Sequence, residues 1–162
     1  MELEPNAFSG TLVVAGRGAG RLLVLAEPLS FWGGLDSQTG SITEPGHPQY
    51  GSSIAGKVML MGQAKGSSSS SSVLAEAIRN GTGPAAIVMR GPDLIVGLGC
   101  IVASDLSARH VPIVAVTESV WRVLVSQHGA STGTVEADAQ RCLIVIDRDI
   151  AAVEPASIDL GA

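Results

Sequence analysis

The chain is poor in positive charge, in cysteine and in long apolar runs, and each shortage removes a class of function. Ten lysines and arginines against fifteen aspartates and glutamates leave a formal net charge of −5. The basic residues are scattered, without the stripe or tail that a nucleic-acid surface requires. Only two cysteines occur, Cys100 and Cys142. Each lies in an apolar stretch, so the expectation is two reduced, buried thiols rather than a disulfide framework. Zinc and iron–sulfur sites usually take about four ligands, which two cysteines far apart in sequence do not assemble by themselves. This chain is therefore expected to bind no metal or cofactor. No apolar run approaches the roughly 20 residues that span a bilayer. The opening Met1-Glu2-Leu3-Glu4-Pro5 lacks the basic start of a secretory signal, so the expectation is a cytoplasmic protein without membrane contact.

What is present describes one globular unit. With 162 residues, 46% hydrophobic and 15% charged, the chain can bury a sizeable single core. One domain over residues 1–150 is expected, followed by a loosely held tail over 151–162. β-rich runs at 11–15 and 21–26 flank Gly16-Arg17-Gly18-Ala19-Gly20. A dinucleotide-binding loop would need a helix next. A strand-like run follows instead, so these glycines are expected to turn a hairpin or bulge. After a long irregular stretch (29–53), held by Trp32 as its anchor or offering it to a substrate, the pattern becomes βα alternation. It predicts a strand at 53–61, a helix from about 71 to 80 stopped by Gly81, a strand at 85–89 and a helix at 93–108. A strand at 111–116, a helix capped by Thr117 or Ser119 and stopped by Gly129, and strands at 133–137 and 142–147 complete it.

Within that pattern one junction carries chemistry. Lys65-Gly66 is followed by six serines, Ser67 to Ser72, and then by Val73-Leu74-Ala75-Glu76-Ala77-Ile78-Arg79, which joins a small-residue loop to an amphipathic helix. The first amides of a helix have no intrahelical partner and carry the positive end of its dipole, so an anion can sit there. A Gly/Ser spacer is the plainer alternative. Its position between a strand and a helix of one unit weighs against that, and serine is a favoured N-cap. The residues alone do not distinguish among the six hydroxyls. His47 and Asp36 are further candidates for substrate contact, against a loop hydrogen bond and an Asx-turn as the simpler roles.

The ordered series Glu27-Pro28-Leu29-Ser30-Phe31-Trp32-Gly33-Gly34, Asp36, Thr39-Gly40, Ile42, His47-Pro48, Gly51, Ser53-Ile54, Gly56, Val58, then Gly66-Ser67-Ser68-Ser69-Ser70-Ser71 and Pro84-Ala85-Ala86-Ile87-Val88 resembles the small subunit, or swivel domain, of the aconitase X family. The resemblance covers about residues 10–116. It implies an α/β architecture, a swivelling β/β/α domain of aconitase type, which closes over a large subunit holding an iron–sulfur cluster as a heterodimer or higher assembly. The implied activity is that of a hydro-lyase dehydrating a 3-hydroxycarboxylic acid. Known members act on cis-3-hydroxy-L-proline in bacteria and on mevalonate 5-phosphate in archaea. A serine of the swivel domain is the base in the aconitase superfamily, and the matching position is Ser67. Gly66, Ser68 and Ser69 then become anion contacts or loop formers. Lys65 becomes the nearest stabilising cation, where family members often carry arginine. Two lysines against eight arginines lack the Lys/Glu enrichment of hyperthermophiles, which favours the proline derivative over the phosphate. A non-catalytic binding or regulatory module that kept the fold is the alternative class.

Overall fold

The computed structural model describes residues 6–128 and 130–147; the expected tail from residue 151 and the helix stop at Gly129 lie outside the described residues. The elements run β1 (Ala7–Ser9), β2 (Thr11–Val14), β3 (Gly16–Leu25), α1 (Phe31–Gly34), β4 (Val58–Met61), α2 (Ser69–Asn80), β5 (Ala86–Met89), α3 (Leu94–Ser107), β6 (Ile113–Ala115), α4 (Glu118–His128), β7 (Thr132–Ala137) and β8 (Cys142–Ile146). Every residue of β4, β5 and β6 is buried, as parallel strands covered on both faces require. The side chains of these strands alternate between two cores. Val58 and Leu60 of β4 face a core built with Val135, Ile144 and Leu124 of β7, β8 and α4. Met59 and Met61 face one built with Leu74, Ile78, Val96 and Cys100 of α2 and α3. Two sheet layers and a helical layer result, the β/β/α order that the resemblance implied.

Strand order is β1-β8-β7-β3-β4-β5-β6-β2. Strands β3 to β6 are parallel, while β7, β8, β1 and β2 join antiparallel. Only Gly10 separates β1 at one edge from β2 at the other, so a single short segment joins the two ends of the strand order. A Cβ on Gly10 would lie 2.2 Å from Val114 Cγ1; the junction needs a residue without one.

The glycine run at 16–20 does not turn. It forms the first half of the ten-residue β3, paired with β7 from Gly16 to Arg21, and the same strand then pairs with β4 from Leu22 to Leu25. Gly18 and Gly20 lie on the face where the two layers meet, and a Cβ there would stand 1.8 Å from Ala85 O and 2.2 Å from Gly56 O. Close backbone approach, not turning, is the reason for these glycines. Strand β4 starts later than expected, because Lys57 N–H donates to Ile54 O and Gly56 takes φ +68°, making a turn of the preceding residues. Helix α2 starts earlier, at Ser69, because Ser70 and Ser71 N–H already donate to Ser67 and Ser68 O at 2.9 and 3.1 Å. Its end falls at Gly81 as expected, with φ +80°. Asp93 caps α3, its Oδ1 accepting from Ile95 and Val96 N–H. Thr117 Oγ1 accepts from Val120 N–H at the start of α4. Phe31, not Trp32, anchors the long loop: Phe31 is buried and Trp32 is 65% exposed. Cys100 is buried and Cys142 partly so, both as free thiols.

Candidate functional site

The loops that follow β3 and β4 leave neighbouring parallel strands, Leu25 being paired with Met61, and stay side by side. Leu29 bridges Ala64, and Lys65 N–H donates to Leu29 O at 3.4 Å. The serine loop is thereby fastened to the Leu29–Gly34 turn at the carboxyl edge of the parallel strands, where open α/β sheets place their ligands. Gly66 is the pivot. Its φ is +111°, and a Cβ there would stand 2.6 Å from Ser70 Oγ and 2.8 Å from Ser30 Oγ. Ser30 Oγ in turn donates to Trp32 O.

This packing separates five of the six hydroxyls, Ser72 lying exposed one residue further along α2. Ser70 is buried and its Oγ accepts from Trp32 N–H at 3.4 Å. Ser71 Oγ donates to Ser68 O at 2.6 Å. Both serve the chain's own structure. Ser67, Ser68 and Ser69 are exposed, and their backbone N–H groups donate to no acceptor among the described residues. Ser68, the N-cap of α2, makes no side-chain cap bond. The positive end of a 12-residue helix, open amides and free hydroxyls therefore coincide at one exposed tip.

Lys65 reaches the same corner, but its Nζ pairs with Glu44 Oε2 at 3.1 Å. The other Glu44 oxygen accepts from Ser30 N–H at 3.4 Å. Glu44 thus ties the turn to the loop, a role with no signal in local periodicity; Ser30 lies within the family series yet is not singled out there. His47 is 4% exposed, and both ring nitrogens are in use: Nδ1 accepts from Gln49 N–H, and Nε2 donates to Glu27 O. This is the loop-stabilising hydrogen bonding that competed with substrate contact. Asp36 makes the Asx-turn, its Oδ1 accepting from Gln38 N–H. The following Ser37 O accepts from Asn80 and Thr82 at the carboxyl end of α2, about 18 Å along the helix from the serines. The structure brings Lys65, Gly66, Ser67, Ser68 and Ser69 together and leaves Asp36 elsewhere.

A cleft of about 500 Å³ opens beside the loop, lined by Gly62, Gln63, Ala64, Arg90, Asp93 and Glu118. Large apolar side chains stand exposed on α3, with Leu94 85% and Leu98 50% accessible. Gly99, on the buried side of that helix, packs on Ser71 O and so sets α3 against the start of α2. Among the described residues, no three His, Cys, Asp or Glu side chains cluster as metal ligands, and no helix is long and apolar enough to cross a membrane.

A β/β/α domain that presents a helix N-terminus and free serines at the edge of its parallel strands is a swivel domain of the aconitase type. The aconitase X swivel domain profile matches residues 7–146, and the chain belongs to that family. It is 42% identical over 106 residues to a cis-3-hydroxy-L-proline dehydratase of Pseudomonas aeruginosa, covering 65% of this chain but 18% of that protein. It is also 42% identical over 92 residues to the phosphomevalonate dehydratase small subunit of Methanothermobacter thermautotrophicus, covering 57% of this chain and 70% of that one. The holo-form crystal structure of Thermococcus kodakaraensis aconitase X matches with TM-score 0.71 at 27% identity, over 87% of this chain and 98% of that chain.

Proposed function

We propose that the chain is the small subunit of an aconitase X-type hydro-lyase, acts with a large subunit in the cytoplasm, and supplies Ser67 as the base that dehydrates a 3-hydroxycarboxylic acid. The observation that carries this reading is the exposed tip of α2, where Ser67 keeps a free hydroxyl while Ser70 and Ser71 are engaged. Dehydration removes a proton from the carbon next to the carboxylate and expels the 3-hydroxyl as water. A serine hydroxyl is a weak base unless its alkoxide is stabilised. Here the helix end and the open amides around Ser67 and Ser68 supply that stabilisation, since Lys65 is balanced by Glu44. Ser67 takes the proton; Gly66 lets the loop approach; Ser68 and Ser69 offer anion contacts.

Departure of the hydroxyl calls for a Lewis acid. The described residues of this chain hold no ligand cluster that fits one, and the reading assigns an iron–sulfur cluster to the large subunit. Exposed Trp32 beside the loop, with Leu94 and Leu98 on α3, supplies apolar surface for that partner to cover. Between the two substrates, cis-3-hydroxy-L-proline is favoured on composition. Mevalonate 5-phosphate is the second reading, favoured by the 70% coverage of a separate archaeal small subunit.

The test is co-expression with the large subunit and assay of both acids, with Ser67→Ala beside Ser68→Ala and Ser69→Ala. Loss of the base is expected to lower kcat by about 10²- to 10⁴-fold, with smaller effects at the neighbours. Activity of Ser67→Ala equal to that of the unmodified pair would remove Ser67 from the mechanism.

A further inference from the structure

Arg90 follows the last residue of β5, at the same edge as the serine loop, and its N–H donates to Gly62 O at 3.3 Å. Its stem lies over Gly62, whose Cβ, if present, would be 3.1 Å from Arg90 Cδ and 3.6 Å from Trp121 Cζ2. The side chain is therefore set in place by a glycine floor and an aromatic neighbour. Arg90 borders three clefts, of about 250, 500 and 330 Å³, that meet at this edge. The largest is within the size range of small-molecule sites. Its wall ends at Ala64, and the three residues from there to Ser67 span at most about 10 Å of chain.

Arg90 is the one positively charged residue lining the largest cleft, where the carboxylates Asp93 and Glu118 also stand. Arg90 Nε and one Nη reach Glu118 Oε2 at 2.9 and 2.8 Å, and Glu118 Oε1 also takes Arg122 Nε at 3.2 Å. One carboxylate thus serves two guanidinium groups, of which only Arg90 lines the cleft. The second Nη of Arg90 has no hydrogen-bond acceptor among the described residues. Asp93, the other carboxylate on this wall, is turned to the first amides of α3. A guanidinium oriented through Nε and one Nη, with the other Nη group left over, retains donors that match a carboxylate.

Resting on the hydro-lyase reading, we propose that Arg90 is a substrate-binding residue, which takes the carboxylate of the hydroxy acid while Ser67 removes the proton from the adjacent carbon. Glu118 is the positioning residue that orients it. The experiment reconstitutes the chain with its large subunit and measures kcat and KM on cis-3-hydroxy-L-proline and on mevalonate 5-phosphate for Arg90→Gln, Arg90→Lys and Arg122→Gln, with subunit affinity followed by sedimentation.

Losing a charge-assisted contact to the substrate is expected to raise KM by about 10- to 100-fold in Arg90→Gln with little change in kcat. Lysine should recover part of this. Arg122→Gln, which cuts the same ion network behind the cleft, should stay within about twofold of the unmodified pair. Three outcomes overturn the assignment in an active complex: an unchanged KM for Arg90→Gln, equal changes for Arg90→Gln and Arg122→Gln, or weakened subunit assembly with normal KM. If the unmodified pair dehydrates neither acid, the hydro-lyase reading itself fails and the assignment falls with it.

Discussion

Gly66→Ala isolates what holds the serine loop in place, because a second glycine in this region provides the control. At Gly66 the backbone has φ +111° and the added methyl would stand 2.6 Å from Ser70 Oγ and 2.8 Å from Ser30 Oγ. At Gly33 the backbone also has positive φ, +77°, yet nothing lies within 4 Å of the added carbon. Gly33→Ala therefore carries only the left-handed backbone cost, about 1–2 kcal/mol. Gly66→Ala adds the displacement of two hydroxyls, and with them the bonds Trp32 N–H to Ser70 Oγ and Ser30 Oγ to Trp32 O. At about 1 kcal/mol for each lost hydrogen bond, the total becomes about 3–4 kcal/mol. For a domain of this size about 1 kcal/mol moves Tm by 2–4 °C. Thermal unfolding of the isolated chain should thus place Gly66→Ala about 4–8 °C below Gly33→Ala. The reconstituted pair carrying Gly66→Ala should also lose dehydratase activity out of proportion to its stability at the assay temperature. Equal melting of the two variants with full activity for Gly66→Ala would refute the idea that contact with Ser30 and Ser70 positions the loop.

Two further outcomes concern the helical layer behind the loop. Asp93→Ala removes the carboxylate that accepts from Ile95 and Val96 N–H, and urea unfolding should show a loss of about 1 kcal/mol, with Asp93→Asn retaining most of it. Burial pushes the Cys100 thiol from its ordinary 9.0 up to about 12. The unfolded chain then releases this proton first, so the stability contribution is complete below about pH 9 and declines toward pH 12, at up to about 1.4 kcal/mol per pH unit. Unfolding measured from pH 8 to 11 should slope downward less steeply for Cys100→Ala than for the unmodified chain; identical slopes would exclude the thiol as the cause.

Much of the fold was legible because burial imposes a pattern on the residues that undergo it. Val58–Met61, Ala86–Met89 and Ile113–Ala115 are apolar throughout and are covered on both faces, so their runs announced parallel strands. Gly81 and Asp93 sit where helix-end chemistry asks for them. The glycines of β3 misled, because a sequence does not distinguish a glycine that turns the chain from one that lets another backbone pass at close range. The six serines read alike for a similar reason. Ser70 is set apart only by Trp32, 38 positions away, and Lys65 is balanced only by Glu44, which sits in a loop without periodicity.

The order of residues by itself determined the apolar strands, the helix ends, the absence of a cysteine ligand set and, through an ordered series of motifs, the family. Those properties are local or cumulative along the chain. Only the tertiary structure decided which hydroxyls stay free, that His47 and Asp36 serve their own loops, and that Arg90 stands beside the serine loop. Each of these depends on which segments meet across the carboxyl edge of β3, β4 and β5, and contact between residues distant in sequence arises from packing rather than from local spacing.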